Sequence, residues 1–298
     1  MIKTIVALFM LIATSLAYAD SQRVPGIWGF APGSTQGSYF RAILEQANAN
    51  QKKYEFMFDH KPGAGGVIST RAALETKGPV ILAHAGAIFA QTYTMLNPGY
   101  RIEQFRPILI MAEAPSALVT KGKTLDQLLK QPRISIGGVG AALAAEVFRK
   151  NAKHPDVVIV PFKDTNEAFL AVLGGHVDAT FEFLGDARAK GGSDITFVGL
   201  TGTKSIDNLP LLKDRGFPEA AMLGAPFAIY VPTSMPADQF NEIRSILLEA
   251  EKSEKVQSLY RRDFSFRDPA WLQTSNLQAW YEDKIKHYKI LTSHVKPQ

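Results

Sequence analysis

Three glycine-rich loops carry the chemistry that this sequence displays most openly. They are Phe30-Ala31-Pro32-Gly33-Ser34-Thr35-Gln36-Gly37, Lys61-Pro62-Gly63-Ala64-Gly65-Gly66 and Gly137-Gly138-Val139-Gly140-Ala141-Ala142. Each follows a strand-like run and precedes a helix-like one. A strand–loop–helix junction aims unpaired backbone N–H groups out of the helix N-terminus, where the dipole favours an anion. Glycine lets the backbone approach a ligand closely and accept positive φ. In α/β folds such loops line the crevice at the strand C-terminal ends. One loop of this kind is as readily a tight turn. Three in one chain point to an anion-binding cleft.

Other chemistries leave no trace. There is no G-x-S-x-G elbow and no H-E-x-x-H, and the six His are scattered rather than set at ligand spacing. A P-loop needs Lys-Ser/Thr after its last Gly, but Gly66 is followed by Val67-Ile68. A dinucleotide fingerprint begun at Gly63 or Gly138 would put Ile68 or Leu143 at its third Gly/Ala position. Cysteine is absent, which excludes disulfides, thiolate metal sites and Cys nucleophiles. The 33 Lys+Arg against 28 Asp+Glu give a net charge of +5. That mild surplus suits small anions, and without a Lys/Arg run of five or more it does not suit nucleic acid. No catalytic residue, metal or cofactor is expected.

The elements that must position the loops follow from periodicity. Strand-like runs are Tyr54–Phe58, Val80–Ala83, Ile108–Met111, Ile134–Ile136, Val157–Val160, Val177–Phe181, Ile195–Val198 and Phe227–Val231. Helical stripes lie between them, at Tyr39, Phe40, Ile43, Leu44 and Ala47, at Ala144, Val147 and Phe148, and at Phe169, Leu170 and Leu173 before Gly174-Gly175. From Ala237 onward helical patterns dominate, with Phe240, Ile243, Leu247 and Leu248 on one face. The β-α-β-α rhythm predicts an α/β protein with mostly parallel sheets. With 298 residues, 46% of them apolar, the chain can build two cores.

Met1 to Ala19 reads as a cleavable secretory signal peptide. Lys3 supplies the basic start, Ile5 to Ala13 the apolar run, and Ala17-Tyr18-Ala19 the small-x-small cleavage site. The apolar run is too short for a membrane span of about 20 residues. The mature chain is expected to be soluble and periplasmic.

In order along the chain, these segments resemble the extracytoplasmic solute receptors of tripartite tricarboxylate transporters, the Bug receptors. The family's Pro-Phe-x-Pro/Ala-Gly-Gly-x-x-Asp loop is matched by Gly29 to Gln36, and its Asn-Arg/Lys-Pro-Gly-Ala-Gly-Gly loop by His60 to Gly66. Its Gly-rich loop and Glu-x-Phe helix are matched by Gly138 to Phe148, its Val-Pro-Tyr-Lys-Gly by Val160 to Asp164, and its Leu-x-Gly-Gly-x-Val-Asp by Val172 to Asp178. Leu209-Pro210 and Gly216-Phe217-Pro218 are similar to later family elements.

The resemblance implies a two-lobed fold of the type II periplasmic-binding-protein kind, with a cleft between the lobes. Lobe 1 would hold residues 20–118 and 233–298 and lobe 2 residues 119–232, with hinge crossings near Pro115 to Thr120 and Pro226 to Thr233. Phe30, Ala31, Gly33, Ser34, Thr35 and Gln36, with Gly63, Ala64, Gly65 and Gly66, would grip one carboxylate from lobe 1. Gly140, Ala141, Ala142, Phe162, Lys163 and Glu182 would meet the rest of the ligand from lobe 2.

The chain also departs from the family's pattern. Gln36 stands where the family has Asp, His60 where it has Asn, and Phe162 where it has Tyr. Ala141 and Ala142 replace hydroxyl residues, and Glu182 stands in for an Asp. The lobe 2 half therefore suits either a less polar acid or water in the gap. The expected function is a non-enzymatic, monomeric receptor. It would close on a small organic acid and hand it to the membrane permease of a tripartite transporter. A receptor for another anion or an amino acid feeding a sensor, and an exported enzyme with a dispersed active site, are the rival readings.

Overall fold

The computed structural model describes residues 21–30, 33–139, 142–293 and 295. Residues 1–19, read from the sequence as a signal peptide, and the loop residues Ala31, Gly140 and Ala141 lie outside the described residues. No helix among the described residues is long and apolar enough to cross a membrane.

Two five-stranded sheets organise the chain, each covered by helices. The first has the order β2-β1-β3-β10-β4, with β1 Gln22–Trp28, β2 Tyr54–His60, β3 Ile81–His84, β4 Phe105–Ala114 and β10 Ala225–Pro232. The second has the order β7-β6-β8-β5-β9, with β5 Ser116–Lys121, β6 Ile134–Val139, β7 Val157–Phe162, β8 Ala179–Phe183 and β9 Ile195–Leu200. The helices α1 Thr35–Asn50, α2 Val67–Glu75 and α3 Ala87–Thr94 follow β1, β2 and β3. In the second half, α4 Leu125–Leu129, α5 Leu143–Asn151, α6 Thr165–Leu173 and α7 Leu184–Gly191 follow β5, β6, β7 and β8. After β10 come α8 Ala237–Glu251, α9 Glu254–Arg262 and α10 Thr274–Thr292. The expected α/β architecture in two halves is present.

The sheets are mixed rather than mostly parallel. β2, β1 and β3 pair in parallel, as do β7, β6 and β8. β10 is antiparallel to both its neighbours, and so is β5. The reason lies in the crossings. β4 ends at Ala114, Pro115 carries the chain over, and Ser116 at the start of β5 faces Phe183 at the end of β8. On the return, Ala225 at the start of β10 faces Ala114 at the end of β4. A strand entering a sheet from the carboxyl edge of its neighbours must run against them. The carboxyl ends of both parallel trios therefore sit at the crossings, where the two halves meet.

β10 is hydrogen-bonded into the first sheet, although the expected lobe 2 ran to residue 232. By sheet membership the return crossing falls between Leu200 and Ala225. β5 begins at Ser116, within the stretch read from the sequence as a hinge, because Ala117, Leu118 and Val119 are apolar enough to be fully buried in the second sheet.

Each half has its own core. Trp28, Tyr39, Phe40 and Phe227 anchor one face of the first sheet, and Phe89, Tyr230 and Tyr281 the other. Phe148 stacks on Phe217 at 5.0 Å in the second half, while Phe169 packs under α7. Packing of two faces per sheet fixes the strand ends from which the loops project.

Candidate functional site

The second loop is the most specialised backbone in the molecule. Gly63, Ala64, Gly65 and Gly66 all have positive φ, at 125, 47, 61 and 98°. The Gly66 N–H donates to Gly63 O and the cap N–H of Val67 to Ala64 O. That tight turn leads into α2, whose next amides, Ile68 and Ser69, are the donors that a helix start leaves without an intrahelical partner. A Cβ at Gly66 would lie 2.6 Å from His84 Nε2 and 2.9 Å from the Phe30 ring. Glycine is thus required there by space as well as by φ.

The loop is braced from beneath. Ser69 Oγ and Thr70 Oγ1 donate to Gly66 O at 2.7 and 2.8 Å. Gln91 Nε2 donates to Gly65 O, and Tyr100 O–H holds Gln91 Oε1 at 2.7 Å. His84, fully buried at the end of β3, shares a 3.0 Å hydrogen bond between Nδ1 and Ala85 O, which places its proton on Nδ1. Burial pushes its pKa down to about 4, so the ring is neutral at pH 7.

The first loop lies against the second. The Phe30 ring meets His84 edge-on at 5.1 Å, and His60 Nε2 bonds Phe30 O at 2.7 Å. Ser34 is the N-cap of α1, its Oγ accepting from the Gly37 N–H at 3.3 Å. Thr35 and Gln36 are buried, whereas Gly33 is exposed with open space where a Cβ would go. His60, at the family's Asn position, ties the two loops together through a backbone carbonyl.

The second half offers side chains instead. Ala142 stands at the N-cap of α5 with φ 50° and no side-chain cap. Phe162 ends β7 partly exposed, its ring 3.3 Å from where a Gly137 Cβ would stand. Lys163 is exposed and lies 3.9 Å from Glu167, while Asp164 caps α6 by accepting from the Glu167 N–H. Glu182 is buried near the end of β8, and its Oε1 accepts from the Phe183 N–H at 2.8 Å. Burial, with Asp186 nearby, pushes its carboxyl up to about 7.

Among the described residues, a side-chain hydrogen bond joins the halves at the loops. Thr35 Oγ1 at the start of α1 donates to Asp186 Oδ2 in the first turn of α7 at 3.0 Å. Phe183 meets Phe227 edge-on at 5.4 Å across the same boundary. The structure thus brings Phe30, Thr35 and the 63–66 turn together in the first half, sets Asp186 against Thr35 from the second, leaves Glu182 buried beside Thr165 at the end of β8, and turns Lys163 toward α6. Sequence reasoning missed His84, Gln91, Asp186 and Thr165, whose side chain hydrogen-bonds Glu182. Their signal is weak, since a lone polar residue at a strand end or in a helix first turn is commonly structural. Two surface hollows, of about 310 and 320 Å³, lie elsewhere. The charged residues of the first pair among themselves, as Arg149–Glu146 and Lys150–Glu219.

The fold itself has clear counterparts among solved structures. Rpa4515 of Rhodopseudomonas palustris with adipate is 17% identical, with a TM-score of 0.80 over 94% of this chain and 100% of its own. MatC of the same organism with bound malate is 16% identical, with a TM-score of 0.79 over 91% and 99%. The periplasmic binding protein BugD is 18% identical, with a TM-score of 0.79 over 94% and 100%. This chain has the fold of the two-lobed periplasmic solute-binding proteins. No protein-family model matches it, and no curated protein matches it by sequence.

Proposed function

We propose that the protein is a non-enzymatic receptor of the tripartite tricarboxylate type that captures a small organic carboxylate between its two halves. The observation that carries this is the 63–66 turn. Four successive positive-φ residues feed a helix start beside a neutral His84 and the Phe30 ring. Such a turn holds an anion by backbone donors and dipole, with no cationic side chain needed. That solved structures of the same fold hold malate and adipate supports the choice of a carboxylate.

The two halves act as lobes that close by hinge motion at Pro115 and the 201–224 return, and the ligand stabilises the closed state by touching both. The mature chain is exported after loss of residues 1–19, works as a monomer, and delivers its ligand to membrane permease subunits. A thermal-shift screen of mono-, di- and tricarboxylates against sugars and cations tests this. An acid at 100 times its Kd should stabilise the fold by about 2.7 kcal/mol. If every acid is inert while sugars or cations stabilise the protein, the reading fails.

A further inference from the structure

We propose that Glu113 makes the hinge pH-sensitive: protonated, it lets the two halves sit together, and ionised, it drives them apart. The inference rests on the hinge motion proposed above and not on the identity of the ligand.

Glu113 is the last residue but one of β4, two residues before the outgoing crossing at Pro115. Three links between the halves meet at it. The outgoing link is its own strand, continued through Ala114 and Pro115 into β5. The return link lays Gly202 and Gly224 against its side chain. A Cβ at Gly224 would lie 2.5 Å from Glu113 Oε1, and one at Gly202 would lie 3.6 Å from it. Gly202 moves with the second half, because its N–H donates to Ala220 O and the Thr201 N–H donates to Ser116 O. The third link is the stretch after α9. Its Phe266 exchanges two backbone hydrogen bonds with Glu113, at 2.8 and 3.0 Å. Two residues earlier, Phe264 packs against the core of the second half, and the Arg188 guanidinium of α7 lies 4.3 Å from its ring centre.

The acid at this junction is unpaired. Among the described residues, no side chain or backbone group hydrogen-bonds or ion-pairs with the Glu113 carboxyl. Two cations act on it from farther off, Lys204 on the return link and Lys284 on α10, and Tyr288 of α10 is the other titratable group that feels it. Lys204 covers the Phe266 ring at 4.4 Å, and Arg267 is paired with Glu251. Burial outweighs both lysines and raises the carboxyl above its ordinary 4.5. Separation of the halves withdraws Gly202 and lets water reach the carboxylate, which returns its pKa toward the ordinary value. The joined form therefore binds the extra proton. Its advantage is present in full below 4.5 and is lost as pH rises through the raised value.

The chain has no cysteine, so labels on introduced ones are unambiguous. Lys61→Cys and Asn166→Cys place them just past β2 and β7, the outer strands of the two sheets and the farthest from the crossings. Spin-label distances are measured on the ligand-free mature protein from pH 4.5 to 8. The ratio of wide to short distances should rise with pH, by up to about tenfold per unit through the titration. Glu113→Gln should keep the short distance throughout. Lys284→Met removes a cation that favours the ionised form, so the rise should move to higher pH. A wild-type distance that ignores pH overturns the proposal, and so does a Glu113→Gln protein that keeps the wild-type response. If Glu113→Gln does not fold, Lys284→Met decides, and a rise that stays in place or moves to lower pH overturns it. Because no ligand is present, failure here leaves the carboxylate reading standing, and failure of the acid screen leaves this result standing.

Discussion

The two walls of the cleft use opposite materials. On the first sheet the proposed anion grip is main chain: a positive-φ turn and two helix starts, beside a histidine held neutral by burial. On the second sheet the groups at the same boundary are side chains: the carboxyls of Glu182 and Asp186 and the rings of Phe162 and Phe183. Backbone donors are indifferent to most substitutions but demand glycine at particular points. Side-chain recognition is the reverse, since one residue replaces the chemistry while the backbone stays. The first wall is therefore suited to what all ligands of such a receptor share, and the second to what distinguishes one ligand from another.

The largest effect that would break this comparison is at Gly66. A Cβ there falls 2.6 Å from His84 Nε2 at φ 98°, so Gly66→Ala must displace the turn. Loss of ligand affinity by about a hundredfold or more is expected, with a strain cost of about 1–3 kcal/mol. Calorimetry with the cognate acid and a urea titration measure the two. Gly33→Ala, with open space around it, should change neither. Equal effects at both positions would mean that the turn is not the anion grip.

The walls should also answer pH in opposite directions. Burial lowers His84 from 6.5 to about 4, so over that window the unfolded chain binds the extra proton and stability rises with pH. Burial raises Glu182 from 4.5 to about 7, so the folded chain binds the extra proton. Its contribution is present in full below 4.5 and lost as pH rises through 7. Each is worth about 3 kcal/mol over its window and they oppose one another. His84→Asn should therefore gain on the wild type as the solution is acidified from pH 6.5. Glu182→Gln should gain on it as pH rises from 4.5. Stability difference curves from urea titrations check both, and slopes of one sign would remove the contrast.

The same contrast explains what was legible in the sequence. The Pro62-Gly63-Ala64-Gly65-Gly66 run announced itself because positive φ demands glycine, and the structure places all four residues from 63 to 66 there. The apolar runs Val157–Val160 and Phe227–Val231 were visible and fall inside the strands Val157–Phe162 and Ala225–Pro232. The reversal of β5 and β10 was not, because strand direction is set by which edge the chain enters and leaves no mark on periodicity. His84 and Asp186 were not legible either. Nothing in their local sequence states that β3 ends under Gly66 or that α7 begins opposite α1. Those are long-range facts, 18 residues apart for His84 and Gly66, and 151 apart for Thr35 and Asp186.

The smallest predicted effect concerns the contact that joins the walls. Thr35→Val keeps the shape and β-branching at the first residue of α1 and removes only the hydroxyl that donates to Asp186. Because the acceptor is a carboxylate, the bond is worth about 1–2 kcal/mol. Thr35 lies on the first half and Asp186 on the second, so the bond exists only while the halves are together. Its loss favours the open form and lowers ligand affinity several-fold, up to about tenfold. It also frees Asp186 beside Glu182, which strengthens the negative field at the second wall. Affinity for a diacid should consequently fall more than affinity for the monoacid of the same length. Calorimetry on the variant with both ligands measures this difference. An equal loss for the two would make Thr35–Asp186 a latch between the halves with no part in telling one ligand end from another.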